Sequence, residues 1–106
     1  MMIKLNRYMQ QLVDDIAALC SPKQIYLFSV KVNMDGEVTS FKLCVIADTQ
    51  NKTQLEQDIY LRLDCELPYD VVIYTAAEWK AFMNNPLSFV HSIIEKGWKV
   101  YDKAPQ

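Results

Sequence analysis

The sequence predicts an α/β (α+β) domain, a small mixed β-sheet with helices packed on it. Three observations predict it. The apolar periodicity switches repeatedly between about 3.6 and 2 residues along the chain, the periods of helix and strand. Two strand-like runs flank an Asp-Gly turn, the signal of an antiparallel hairpin. Apolar residues make up 51% and charged residues 23%, with only two glycines and four prolines. That composition excludes a disordered, collagen-like or low-complexity chain. The 106 residues suit one domain over 1–106 with one real core.

Residues 4–20 read as a helix. Leu5, Tyr8, Met9, Leu12, Val13, Ile16, Leu19 and Cys20 fall on one arc, and Arg7, Gln10, Gln11, Asp14 and Asp15 on the other side. Ser21-Pro22 stops it. Residues 24–32 form a first strand, Asn33-Met34-Asp35-Gly36 a turn, and residues 37–47 a returning strand. Asp48–Asn51 is a polar loop before a second helix over 53–66. There Leu55, Ile59, Leu63 and Leu67 recur every four residues as a core stripe, with Leu61 and Cys65 opposite as an exposed apolar patch. A break at Leu67-Pro68-Tyr69 leads to a central strand, Asp70–Tyr74.

Thr75-Ala76-Ala77-Glu78 is a capping box, so a short helix opens there with Trp79, Phe82 and Met83 on one face. Asn84-Asn85-Pro86 ends it and starts the last helix, with Pro86 in first position. Leu87, Phe89, Val90, Ile93 and Ile94 are its expected buried arc, and Lys96-Gly97 its stop. Trp98–Tyr101 is a short final strand. The order is α-β-β-α-β-α-α-β, and the crossover from the second strand to the third suits parallel pairing.

Several function classes fall away. No run of 18 apolar residues exists, so no transmembrane helix is expected. The N-terminal residues turn polar too soon for a signal peptide. A net charge of −2 argues against a protein that coats nucleic acid. Cys20, Cys44 and Cys65 are odd in number and wrongly spaced for a metal clamp, which points to a reduced, cytoplasmic setting. One histidine, His91, stands four residues before Glu95 and reads as a solvated pair rather than a catalytic group. Trp79 and Trp98 read as packing residues rather than base-stacking platforms.

Four stretches, in order and spacing, carry a family resemblance. They are Ile25-Tyr26-Leu27-Phe28-Ser29; Thr39 through Ile46; Asp70-Val71-Val72-Ile73-Tyr74-Thr75; and Ser88-Phe89-Val90 with Ile93 through Tyr101. Over about residues 20–103 the chain resembles the minimal nucleotidyltransferase family of the DNA polymerase β-like superfamily. The resemblance implies a nucleotidyltransferase fold. In that family a Gly-Ser turn holds a nucleotide triphosphate and an Asp-x-Asp pair binds two metals for in-line displacement. Here the glycine position falls on Ser29 and the serine on Val30. The two metal aspartates fall on Ser40 and Lys42. The third carboxylate survives as Asp70.

Asp35 and Glu37 lie at the hairpin turn, and Asp48 stands too far along the strand to replace what is missing. The resemblance therefore implies a degenerate member. Its pocket is vestigial, formed by Ser29, Val30, Ser40, Lys42 and Asp70, with Asp70 the catalytic remnant, no metal and no cofactor. Lys42 and Asp70 are expected to form an ion pair where the metal once sat. Such a domain acts by binding a nucleotide or a protein partner. The resemblance implies a helical HEPN-type protein in a toxin–antitoxin-like two-component module, or a second copy in a homo-oligomer. The alternative is an active Mg²⁺-dependent nucleotidyltransferase, moving NMP from an NTP through a rearranged site. A third reading, a structural module unrelated to that family, requires that the Asp70 strand not neighbour the Lys42 strand.

Overall fold

The structure, a computed structural model, describes residues 5–103. Its elements run α1 (Arg7–Cys20), β1 (Gln24–Val32), β2 (Val38–Ile46), α2 (Lys52–Arg62), β3 (Tyr69–Tyr74), α3 (Ala76–Phe82), α4 (Phe89–Lys96) and β4 (Trp98–Asp102). This is the element order that the periodicity predicts. The strands form one mixed sheet in the order β3-β2-β1-β4. The hairpin makes β1 and β2 antiparallel, β4 adds antiparallel to β1, and α2 carries the chain across to a parallel β3.

Alternating side chains build a core on each face of the sheet. Ile25, Leu27, Leu43, Val45, Val71 and Ile73 meet Met9, Leu12, Val13 and Ile16 of α1 and Ile59 of α2. On the other face Phe28, Cys44 and Ile46 meet Trp79 of α3 and Val90 and Ile93 of α4. The run Leu43–Ala47 is therefore buried without interruption. A strand covered on both faces reads as continuous apolar sequence for this reason.

The caps follow from small polar side chains. Asn6 opens α1 by accepting from the Met9 amide at 2.9 Å, and Ser21 closes it in the left-handed region, φ 47°. The predicted start at residue 4 lies outside the described residues. Asn51 opens α2 through the Gln54 amide, and Thr75 and Glu78 form the reciprocal box at α3. In the hairpin turn Gly36 takes φ 81°, while the Asn33 side chain accepts from the amides of Asp35 and Glu37.

Two elements differ from their prediction. Helix α2 stops at Arg62 rather than 66. Leu63 is extended, and from there Leu63, Cys65 and Leu67 alternate inward while Asp64, Glu66 and Pro68 face out. Pro68 disfavours a helical residue before it, so the inward Leu67 arrives by period two, not four. Cys65 therefore packs on the first core instead of sharing an exposed patch with Leu61.

Helix α4 starts later than predicted. Ser88, not the residue before Pro86, is its cap, accepting from the His91 amide at 3.0 Å. Asn85 holds a turn around Pro86 through the Leu87 amide, and the Ser88 hydroxyl donates to the Phe82 carbonyl at 2.7 Å. Leu87 is consequently 94% exposed and Phe89 51%, so the buried arc is Val90 and Ile93. Phe82 and Met83, expected to share the Trp79 face, are also exposed.

The outer edge of β3 is not bare. The Val71 amide donates to the Tyr60 hydroxyl at 2.8 Å. Tyr60 in turn stacks on Tyr69, which stacks on Phe41.

Candidate functional site

The sheet topology gathers the five predicted pocket residues at one end, where β1 finishes and β2 and β3 begin. Phe28, Lys42 and Asp70 occupy one rung across three strands. Ser40 stands two residues before Lys42, on the same face, opposite Lys31. Lys42 and Asp70 thus sit side by side on adjacent strands, whose spacing is about 4.8 Å. Both are exposed. The predicted ion pair is absent: among the described residues no Lys42 nitrogen lies within 4.0 Å of an Asp70 oxygen. Water solvates each charge at that rim, which leaves little Coulombic reason for them to close.

Ser29 and Val30 behave differently from each other. Ser29 adopts φ 49°, and the β1–β2 register shifts between Phe28 and Lys31. This is a β-bulge with one residue in the left-handed region that favours glycine. The extra residue turns the next side chain over, so Val30 packs against the first core. The tight turn falls on Ser29, and Val30 escapes it.

The bulge opens a cleft of about 340 Å³ toward α4, lined by Ser29 and Val30 and by Phe89, Ser92 and Lys96. Sequence reasoning missed Ser92 and Lys96. The signal was available: both lie one helical turn or less from Ile93, on the side of α4 that meets the sheet. The structure does not bring Ser40, Lys42 or Asp70 into this cleft, so the five residues form two neighbouring groups rather than one pocket.

A hard divalent cation needs several oxygen ligands, most of them anionic. The Lys42 rung offers one carboxylate beside an ammonium group, and Ser40 adds a neutral hydroxyl. This donor set does not suit Mg²⁺. No group of three or more potential metal ligands occurs among the described residues. Glu37 is engaged by Asn33 at the hairpin turn, and Asp48 pairs with Lys23 at the opposite end of the sheet. His91 Nδ1 lies 2.8 Å from Glu95 Oε1, the pair predicted from spacing.

The cysteines are all free thiols. Burial without a nearby cation pushes Cys44 up to about 12 and raises Cys20 as well, so neither is a nucleophile at neutral pH. Glu78 is held below the usual carboxylate range, first by the Lys52 ammonium at 2.9 Å and then by the Thr75 amide. That depression belongs to a cap, not to a reaction centre. Among the described residues no helix is long and apolar enough to cross a membrane. No protein-family model, curated protein or solved structure matches the chain.

Proposed function

We propose that the protein is a catalytically degenerate nucleotidyltransferase-like domain that works by binding a protein partner. One observation carries the reading. Phe82, Met83, Leu87 and Phe89 leave four large apolar side chains exposed within eight residues, at the junction of α3 and α4. Phe82 and Phe89 flank a cleft of about 310 Å³ there. Scattered apolar residues are ordinary on a surface, but a cluster beside a cleft marks an interaction site. The partner is a helical protein of the HEPN type, met in the cytoplasm in a toxin–antitoxin-like module.

Two further features support degeneracy. Lys42 takes a position next to Asp70 that a metal-binding carboxylate would need. Ser29 keeps a left-handed backbone where the resemblance puts a glycine, yet supplies no glycine-serine cradle.

The test is calorimetric titration of the purified protein with a HEPN-type helical protein, alongside the Leu87→Glu variant. Binding that the variant loses supports the proposal. Equal binding by both proteins moves the interface elsewhere. Titration with ATP, with and without Mg²⁺, is the second arm. Mg²⁺-dependent ATP binding, or transfer of label from ATP to protein or RNA, overturns degeneracy and restores the catalytic alternative.

A further inference from the structure

A second cleft, of about 500 Å³, opens at the other end of the sheet. Gln24 pairs with Ile46 and Asp102 there, four residues along β1 from Phe28, or about 13 Å at 3.3 Å per residue. The volume is that of a small-molecule site. Its floor is apolar, formed by Ile46, Ala76 and Trp79. Tyr26 and Tyr74 flank the indole with ring centroids 5.0 and 6.0 Å away.

Trp79 is only 6% exposed, and its indole N–H has no acceptor among the described residues. Buried indole N–H groups ordinarily find a partner. No sealed, unsatisfied side-chain nitrogen or oxygen occurs among the described residues. The N–H therefore keeps a path to solvent, and Trp79 lines this cleft.

The rim holds an excess of donors. Asp102 is already engaged by Lys99 at 2.8 Å and by Gln24 at 3.4 Å. Lys103 donates to the neutral Ser21 hydroxyl at 3.0 Å and has no carboxylate partner among the described residues. Lys23 meets Asp48 at 3.4 Å, but both side chains are more than half exposed, so the pair is weak and either can turn away. An unpaired indole donor, two available ammonium groups and an apolar floor together define a ligand.

The geometry points to this cleft as a binding site for a small organic anion with an apolar body, such as an aromatic carboxylate. The carboxylate meets the Trp79 N–H and the ammonium groups of Lys23 and Lys103, and the body lies on Ile46 and Ala76. The site is separate from the Lys42 end and from the α3–α4 surface, and it does not rest on the proposed function.

The two tryptophans give two indole N–H signals in an amide correlation spectrum, and Trp98→Phe assigns them. The ¹⁵N-labelled protein is titrated with benzoate, with benzyl alcohol as the neutral analogue, and with inorganic phosphate as charge without a body. Benzoate is expected to shift the Trp79 signal saturably at millimolar concentration, the other two far less. The Lys23→Gln/Lys103→Gln protein, whose spectral dispersion reports its fold, is expected to bind benzoate about tenfold more weakly. A Trp79 signal unmoved by benzoate overturns the proposal. So does an equal response to benzyl alcohol or to phosphate, or undiminished binding by a folded double variant.

Discussion

At Gly97, a Cβ would meet the Leu27 carbonyl oxygen at 2.6 Å and the Ile93 carbonyl oxygen at 2.7 Å. Both are backbone atoms, so neither can swing aside. Gly97→Ala is expected to cost about 1–3 kcal/mol through overpacking. Thermal unfolding checks it, at roughly 4–8 °C per kcal/mol for a domain near this size. Cys44 gives a second prediction. Burial pushes its thiol up from the ordinary 9.0 to about 12 in the folded protein. Above pH 9 the unfolded chain releases a proton that the folded one keeps. The stability is thus full below pH 9 and drains away toward pH 12. The urea midpoint should fall between pH 9 and 10, below the tyrosine range, and fall less steeply in Cys44→Ala. Cys20, raised in the same direction, leaves a residual slope. The burial of Cys44 was readable from its place in an apolar strand. The obstruction at Gly97 was not, because its nearer atom belongs to β1, a strand that the local sequence does not mention.

Among the elements, the bulge in β1 offers the sharpest test. A left-handed non-glycine residue costs roughly 1–2 kcal/mol, while glycine costs about 0.5–1 kcal/mol in chain entropy. The first exceeds the second, so Ser29→Gly should stabilise the protein by about 0.5–1 kcal/mol. Ser29→Val should destabilise it by about 1–2 kcal/mol, since a β-branched residue resists positive φ. Denaturant unfolding of the two variants separates them by sign. The strands, the Asp-Gly turn and the Thr75 capping box were all legible, because each is written within a few residues. The end of α2 was not. Leu55, Ile59, Leu63 and Leu67 satisfy a four-residue period, and Leu63, Cys65 and Leu67 satisfy a two-residue period equally well. Pro68 keeps only Leu67 out of the helical region, and the chain is already extended at Leu63, five residues earlier. The start of α4 was misread for a similar reason: Pro86 suits a first helical position and a turn alike, and the Asn85 side chain chose the turn.

For the molecule as a whole, each core is closed by its own pair of helices, and Leu87 lies outside both. Leu87→Glu should therefore change stability by no more than about 0.5 kcal/mol, as measured by urea unfolding. A larger loss would mean that Leu87 is structural and that the proposed partner surface is misplaced. What sequence order showed of the candidate residues was their strand neighbours, not their geometry. Sequence order placed Lys42 and Asp70 on neighbouring strands, whereas only the bulge shows that Ser29 lines the cleft beside α4 while Val30 packs against the first core. The Tyr60 hydroxyl on the Val71 amide has a consequence at this scale. A sheet with two free borders can recruit further strands, from other copies, into an aggregate. One donor on the β3 border is already taken by a phenol from the chain's own helix. Removing that oxygen, as in Tyr60→Phe, leaves the fold its ring stack but frees a template for growth. Concentrated solutions of that variant should turn turbid on standing while the parent protein stays clear.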